Sequence, residues 1–217
     1  AALELNEGRL RDAANLLQRA YRLRPDHPAA NVLLASHFFL KGDSPKAITL
    51  ATRSYRASTS AATKGEAAYQ LARAHHASAD YASALRWYGE AAKQAPDLVG
   101  AHFGLGQMHM YQQERRKAIP CFEPVLKAAP DNVDALKALG ALYVSVGKAR
   151  EATERLARAT ELAPLDATAW LELAKAHSLG GDEAAALKDY EHTALILRRA
   201  GAEMPVELCN NLGVLSH

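Results

Sequence analysis

Slid against itself by 34 residues, the chain matches itself. Residues 133–166 lie under residues 99–132, so that Leu105-Gly106 falls on Leu139-Gly140, Ala118 on Ala152, Phe122 on Leu156 and Pro130 on Pro164. One further step of 34 brings Trp170, Leu173, Ala174, Ala186 and Tyr190 into the same columns. One step back brings Leu71-Ala72, Ala84, Tyr88 and Pro96, and an earlier unit opens at Pro28 with Leu34-Ala35, Gly42-Asp43 and Ala47. A fixed period of this length means one small supersecondary unit used over and over, each copy burying its apolar face against the next.

Numbering the residues of a unit as columns exposes its content. Columns 4, 7, 8 and 11 recur at i, i+3, i+4 and i+7, which is one face of a helix, A; columns 20, 24 and 27 mark a second helix, B. Small residues at columns 8 and 20 let the two backbones approach. Gly42, Gly147 and Gly181 stand at column 15, the turn between the helices, and a proline at column 32 stops helix B. The unit 133–166 carries Leu136, Leu139, Gly140, Tyr143, Ala152, Leu156, Ala159 and Pro164, which resembles the tetratricopeptide repeat. The expected fold is all-α, a right-handed helix-turn-helix solenoid. It is one continuous array over 1–217, with full units at 28–64, 65–98, 99–132, 133–166 and 167–205. Residues 1–27 are expected to be the tail of a preceding unit, and 206–217 the opening helix of a following one. Neither end reads as a polar cap, so the expectation is a piece of a longer chain.

Composition excludes several function classes. Lys and Arg number 26 against 24 Asp and Glu, a net charge of +2, far from the basic excess that sequence-specific nucleic-acid binding demands. Arg115-Arg116-Lys117, the densest basic run, reads as a solvated turn between helices. No apolar stretch approaches the ~20 residues of a membrane helix. The two cysteines, Cys121 and Cys209, are far apart and unpaired, which suits a reducing compartment. Hydrophobic residues make up 49% but aromatic ones only 6%; alanine, roughly a fifth of the chain, fills the difference and favours closely packed helices.

Catalytic and metal chemistry find no foothold. His75, His109 and His177 occupy column 11, where the repeat wants an aromatic ring, and are expected to pack as one. Residues of one column lie a whole helix pair apart, whereas zinc ligands converge at about 2 Å. Gly104-Leu105-Gly106 sits within helix A and reads as a packing feature, not a phosphate loop. The chain is therefore expected to be no enzyme and to need no cofactor. Pro120 and Pro124, in helix B of unit 99, should bend that helix or delay its start to about Ile119.

What remains is surface. Columns 2, 5, 6, 9, 12 and 13 of helix A avoid the core and are expected to line the concave side of the array. Candidate partner-binding residues there are Val32, Phe39 and Leu40, then Tyr69, Arg73 and His76, then Phe103, Gln107, Met110 and Tyr111. Aromatic and aliphatic side chains with an arginine among them have the makeup of a protein interface, and the expected ligand is a protein segment lying in the groove. The Lys/Asn columns of a carboxylate-clamp co-chaperone are absent. The repeated column-6 Asn of the O-linked glycosyltransferase arm occurs once, at Asn211, leaving that arm a remote alternative.

Several stretches are more specific than the repeat. They include 35–39 (ASHFF), 68–73 (AYQLAR), 103–108 (FGLGQM), 121–127 (CFEPVLK), 136–143 (LKALGALY), 169–174 (AWLELA) and 205–213 (PVELCNNLG). In this order, from about Asn31 onward, they resemble the large tetratricopeptide subunit of the PAF complex, the RNA polymerase II-associated elongation assembly. The resemblance implies a nuclear, non-catalytic scaffold that holds other PAF-complex subunits together on RNA polymerase II and supports histone modification during transcription. A generic tetratricopeptide scaffold outside transcription is the alternative. Pro124 and Ser216-His217 depart from the family's pattern.

Overall fold

The computed structural model describes residues 16–215 apart from 18 and 20. Most of the partial unit expected at 1–27, and the Ser216-His217 departure, lie outside these residues. Among them there is no strand; residues 16, 17, 19 and 21–23 are helical, and α-helices follow at α1 (Pro28–Leu40), α2 (Ser44–Ala57), α3 (Ala61–Ala77), α4 (Tyr81–Gln94), α5 (Val99–Tyr111), α6 (Arg115–Ala128), α7 (Val133–Ser145), α8 (Ala149–Leu162), α9 (Ala167–Leu179), α10 (Glu183–Arg199) and α11 (Val206–Leu215). They belong to two compact units, Ala1–Gln112 and Gln113–His217. Within the first, α1 to α5 each pack on the next, and the A helices α1, α3 and α5 also stack in succession. Within the second, α6 to α11 pack in series and α7 stacks on α9.

Local chemistry sets the helix ends. Side-chain acceptors at the N-caps take up backbone N–H groups that have no partner inside the helix: Asp43 from Lys46, Asp80 from Ser83, Asn132 from Ala135, and Asp166 from Thr168 and Ala169. Between A and B the chain turns through a left-handed residue at column 15 in every full unit. Glycine supplies it at Gly42, Gly147 and Gly181, with φ of 77°, 79° and 80°; Ala79 and Gln113 adopt it with φ of 58° and 60°.

The core is built from alanine columns. Ala47, Ala84, Ala118, Ala152 and Ala186 at column 20 are all fully buried. So, at column 3, are Ala67, Ala101, Ala135 and Ala169, with Ala30 nearly so. Over them lie the larger column-24 side chains Tyr88, Phe122, Leu156 and Tyr190. Two glycines make room for such rings and branches. A Cβ on Gly104 would fall 2.3 Å from the Tyr88 ring, and one on Gly140 would fall 2.4 Å from Leu156, so Gly104 is indeed a packing residue.

Two expectations change, and one unit proves longer than the period. Helix α6 does not start late at Ile119; it is helical from Arg115 through both Pro120 and Pro124. Its outer side tolerates this, since Pro120 is exposed while Ala118, Phe122 and Val125 face the core. The unit 28–64 is three residues longer than the 34-residue period, and the residues near 62–64 add a turn to the start of α3, capped by Ser60. And the column-11 histidines do not simply replace an aromatic ring. His75 Nδ1 lies 3.1 Å from Asp80, the N-cap of α4, and His177 Nδ1 lies 2.7 Å from Asp189 in α10. Each joins helix A to helix B through a polar contact.

A candidate protein-binding face

The face expected to bind lies wholly in the first compact unit, on the A helices α1, α3 and α5. Arg73 organises its middle. The guanidinium carbon stands 4.0 Å from the centre of the Phe39 ring and 5.4 Å from that of Tyr69. A guanidinium held over aromatic faces keeps its charge while losing part of its water. Its Nη1 donates to the Gln70 side-chain oxygen at 3.3 Å, one turn earlier on α3.

From Tyr69 the rings continue inward and then along the face. Tyr69 lies 6.1 Å from Tyr88, and its hydroxyl rests on Gly100 of α5, where a Cβ would come within 2.5 Å of it. Tyr88 is buried, and burial pushes its phenol up to about 12, with Tyr69 adding to the shift and Arg73 opposing it. His76 presents its ring edge-on to both Tyr88 and Tyr81. Tyr81 in turn packs 4.3 Å from Tyr111 at the end of α5. Edge-on and tilted ring pairs of this kind fix side chains whose outer faces stay in water.

The ten candidate residues thus have different fates. Phe39, Tyr69, Arg73 and His76 join this aromatic cluster, with Tyr111 reached through Tyr81. Leu40 is 72% exposed and Tyr111 62%. Gln107 is exposed, and Phe103 and Met110 are half-buried on α5. Val32 is corrected: at 8% exposure it is part of the packed interior. Its short branched side chain ends inside the layer, whereas the longer Tyr69 and Phe103 of the same column stay partly exposed. Gln70, Gly100 and Tyr81 escaped the sequence reading. Gln70 was legible as the i−3 neighbour of Arg73, and Gly100 as a glycine in helix A with no turn to explain it.

The same columns in the second compact unit are different chemically. Lys137 reaches Asp166 at 2.5 Å and Asp134 at 3.5 Å; Lys175 reaches Glu172 at 2.9 Å and Glu207 at 3.1 Å. Burial pushes the Asp166 carboxyl up, but hydrogen bonds from Lys137 and from the Ala169 and Thr168 N–H groups outweigh it and hold the carboxyl below the ordinary range. The hydrogen bond to Asp166 raises Lys137 correspondingly. Charges here are neutralised from within.

Among the described residues there is no group of three or more His, Cys, Asp or Glu placed to hold a metal ion, and no helix long and apolar enough to cross a membrane. Cys121 is buried, which pushes its thiol up to about 11, and Cys209 is exposed and unpaired.

Family profiles described as tetratricopeptide repeat match residues 1–62 and 109–176. The chain is 32% identical over 95% of its length to the protein named CTR9 homolog of Arabidopsis thaliana. Over 52% of its length it is 39% identical to the RNA polymerase-associated protein CTR9 of Caenorhabditis elegans. It spans 19% and 10% of those relatives. Among solved structures, YrrB, described as a tetratricopeptide protein with an unusual peptide-binding site, superposes with a TM-score of 0.75 at 17% identity, over 83% of this chain and 91% of that one. A MamA structure gives 0.69 at 19% identity, over 81% and 97%. Period, helix pairing, core columns and these matches agree, and the chain is an all-α tetratricopeptide-repeat protein.

Proposed function

We propose that this chain is a non-catalytic scaffold segment of a CTR9-type subunit, acting in the nucleus to hold other PAF-complex subunits on elongating RNA polymerase II and so to support transcription-coupled histone modification. The observation that carries this reading is the 32% identity over 95% of the chain. The binding face in this reading is the aromatic and arginine surface of α1, α3 and α5. Protein binding is the activity such a surface supports: large flat rings and a guanidinium are the side chains that most often dominate interface energetics.

The test is direct binding of the purified chain to each PAF subunit and to polymerase, offered one at a time, with Tyr69→Ala and Phe103→Ala alongside. Binding to at least one PAF subunit is expected, weakened about tenfold or more in both variants while their thermal melts stay cooperative. If both variants bind like the parent, the face is wrong. If no PAF subunit or polymerase binds, the assignment to that assembly is wrong, and a scaffold outside transcription takes its place.

A further inference from the structure

Arg73 and Lys175 occupy the same column, 9, of their repeats, and the residues around them are in register. Three residues before Lys175 stands Glu172; three before Arg73 stands Gln70. At column 2 of the next unit Lys175 finds Glu207, whereas the corresponding residue for Arg73 is Gly100. Lys175 therefore sits between two carboxylates, at 2.9 and 3.1 Å. Arg73 has an amide in place of one and a bare backbone in place of the other, and makes no ion pair among the described residues.

Arg73 is also fixed in place. Phe39 and Tyr69 lie against the guanidinium, and Gln70 accepts from one of its N–H groups. A guanidinium has five N–H donors in one plane, so most remain unused, in a geometry suited to a planar anion. The Tyr69 hydroxyl, resting over Gly100, likewise has no hydrogen-bond partner among the described residues. Leu40, which follows Phe39 at the end of α1, is exposed.

From this complementarity we infer that the face of the first compact unit takes a protein segment bearing an Asp or Glu. Its carboxylate pairs with Arg73, and an adjoining apolar side chain lies on Phe39 and Leu40. The partner supplies from outside the carboxylate that Glu172 and Glu207 supply to Lys175 from within. This rests on the protein-binding reading above but is separable from it, because it specifies the chemistry of the bound segment and not its owner.

The probe is a display library of random 12-residue peptides selected against the purified chain. Selected peptides are expected to share an Asp or Glu next to an aliphatic or aromatic residue. Exchanging that acid for its amide should weaken binding to the unaltered chain about tenfold or more, the range of a charge-assisted hydrogen bond. Gln70→Glu, which places next to Arg73 the carboxylate that Lys175 already has, should weaken the same peptides to a similar degree; Arg73→Gln should do so as well. Selected peptides without acids, or peptides indifferent to the acid-to-amide exchange, overturn the inference while leaving protein binding intact. Failure to select any peptide overturns both. The amide exchange uses the unaltered chain, so the result stands even if a variant folds poorly.

Discussion

Column 15 offers a comparison of backbone strain within one molecule. All five full units turn through a left-handed residue there, but only three use glycine; Ala79 and Gln113 hold φ of 58° and 60°. The hydrogen bonds around the turn are the same in kind. The column-15 N–H donates to the column-12 carbonyl at Gly42, Ala79, Gly147 and Gly181, and the next N–H donates to column 11, as in Asp80 to His75 and Lys148 to Tyr143. What differs is the Cβ. A left-handed L-residue costs about 1–2 kcal/mol, whereas glycine loses about 0.5–1 kcal/mol of extra chain entropy on folding. Ala79→Gly should therefore stabilise the protein by about 0.5–1 kcal/mol. Ala79 is exposed, so no buried contact is lost. Gln113→Gly should gain slightly less, because the Gln113 side chain accepts from Arg115 at 2.9 Å. Gly147→Ala should cost about the same amount that Ala79→Gly gains, although open space surrounds its would-be Cβ. Denaturant melts of the single variants read these differences as midpoint shifts at constant slope. A neutral or destabilising Ala79→Gly, together with a tolerated Gly147→Ala, would refute the claim that the turn conformation is what selects glycine.

Other substitutions probe the packing and the charges. Gly104→Ala should destabilise by about 1–3 kcal/mol, the ordinary cost of overpacking, because its Cβ meets the Tyr88 ring; pairing it with Tyr88→Leu should recover part of the loss in the same melts. Asp166→Asn keeps a capping side chain but removes the charge that accepts from Lys137, and should lower stability near neutrality by about 1 kcal/mol. Since the folded carboxyl lies below its unfolded value, its contribution is present above the unfolded value of about 3.9 and is lost as pH falls through the lower folded value. The variant's deficit should therefore shrink below about pH 4, and the absence of any deficit near neutrality would show that Asp166 acts only as a neutral cap, a role Asn also fills. Pro120→Ala restores an N–H on the exposed side of α6 and should raise stability, by at most about 3 kcal/mol; a lower midpoint would mean that the proline's effect on helix shape is needed for packing.

Much of the architecture was legible because the repeat columns are physical constraints. A column that must be small, such as column 20, reads alanine five times over, and every copy is buried. Column 3 is equally buried and equally alanine, yet it was missed. Alanine on a helix gives little amphipathic contrast, so only comparison between units reveals it. The histidine–carboxylate pairs were not legible for a different reason. His75 meets column 16 and His177 meets column 23, a pairing that depends on how helix B crosses helix A and leaves no spacing rule in the sequence. The Arg73–Phe39 stack joins column 9 of one unit to column 12 of the unit before, so it needs the stacking of α1 on α3 before it can be seen.

The small-residue columns also explain why the two compact units present such different faces. Ala72, Gly106, Gly140 and Ala174 at column 8, with the buried alanines of columns 3 and 20, let the helices approach closely. Most positions of columns 5, 9 and 12 are thereby released from holding the fold, whereas Gly104 and Gln70 at column 6 and Val32 at column 5 stay buried in it. In the second compact unit the two lysines at these columns, Lys137 and Lys175, are neutralised by neighbouring carboxylates, a surface already satisfied with respect to charge. In the first the same columns carry rings and a guanidinium whose remaining donors have no internal acceptor. Fold and recognition are therefore encoded largely in different columns of the same 34-residue unit, and a change such as Arg73→Gln, at the half-buried column 9, can alter what the face binds while the alanine columns that build the fold stay as they are.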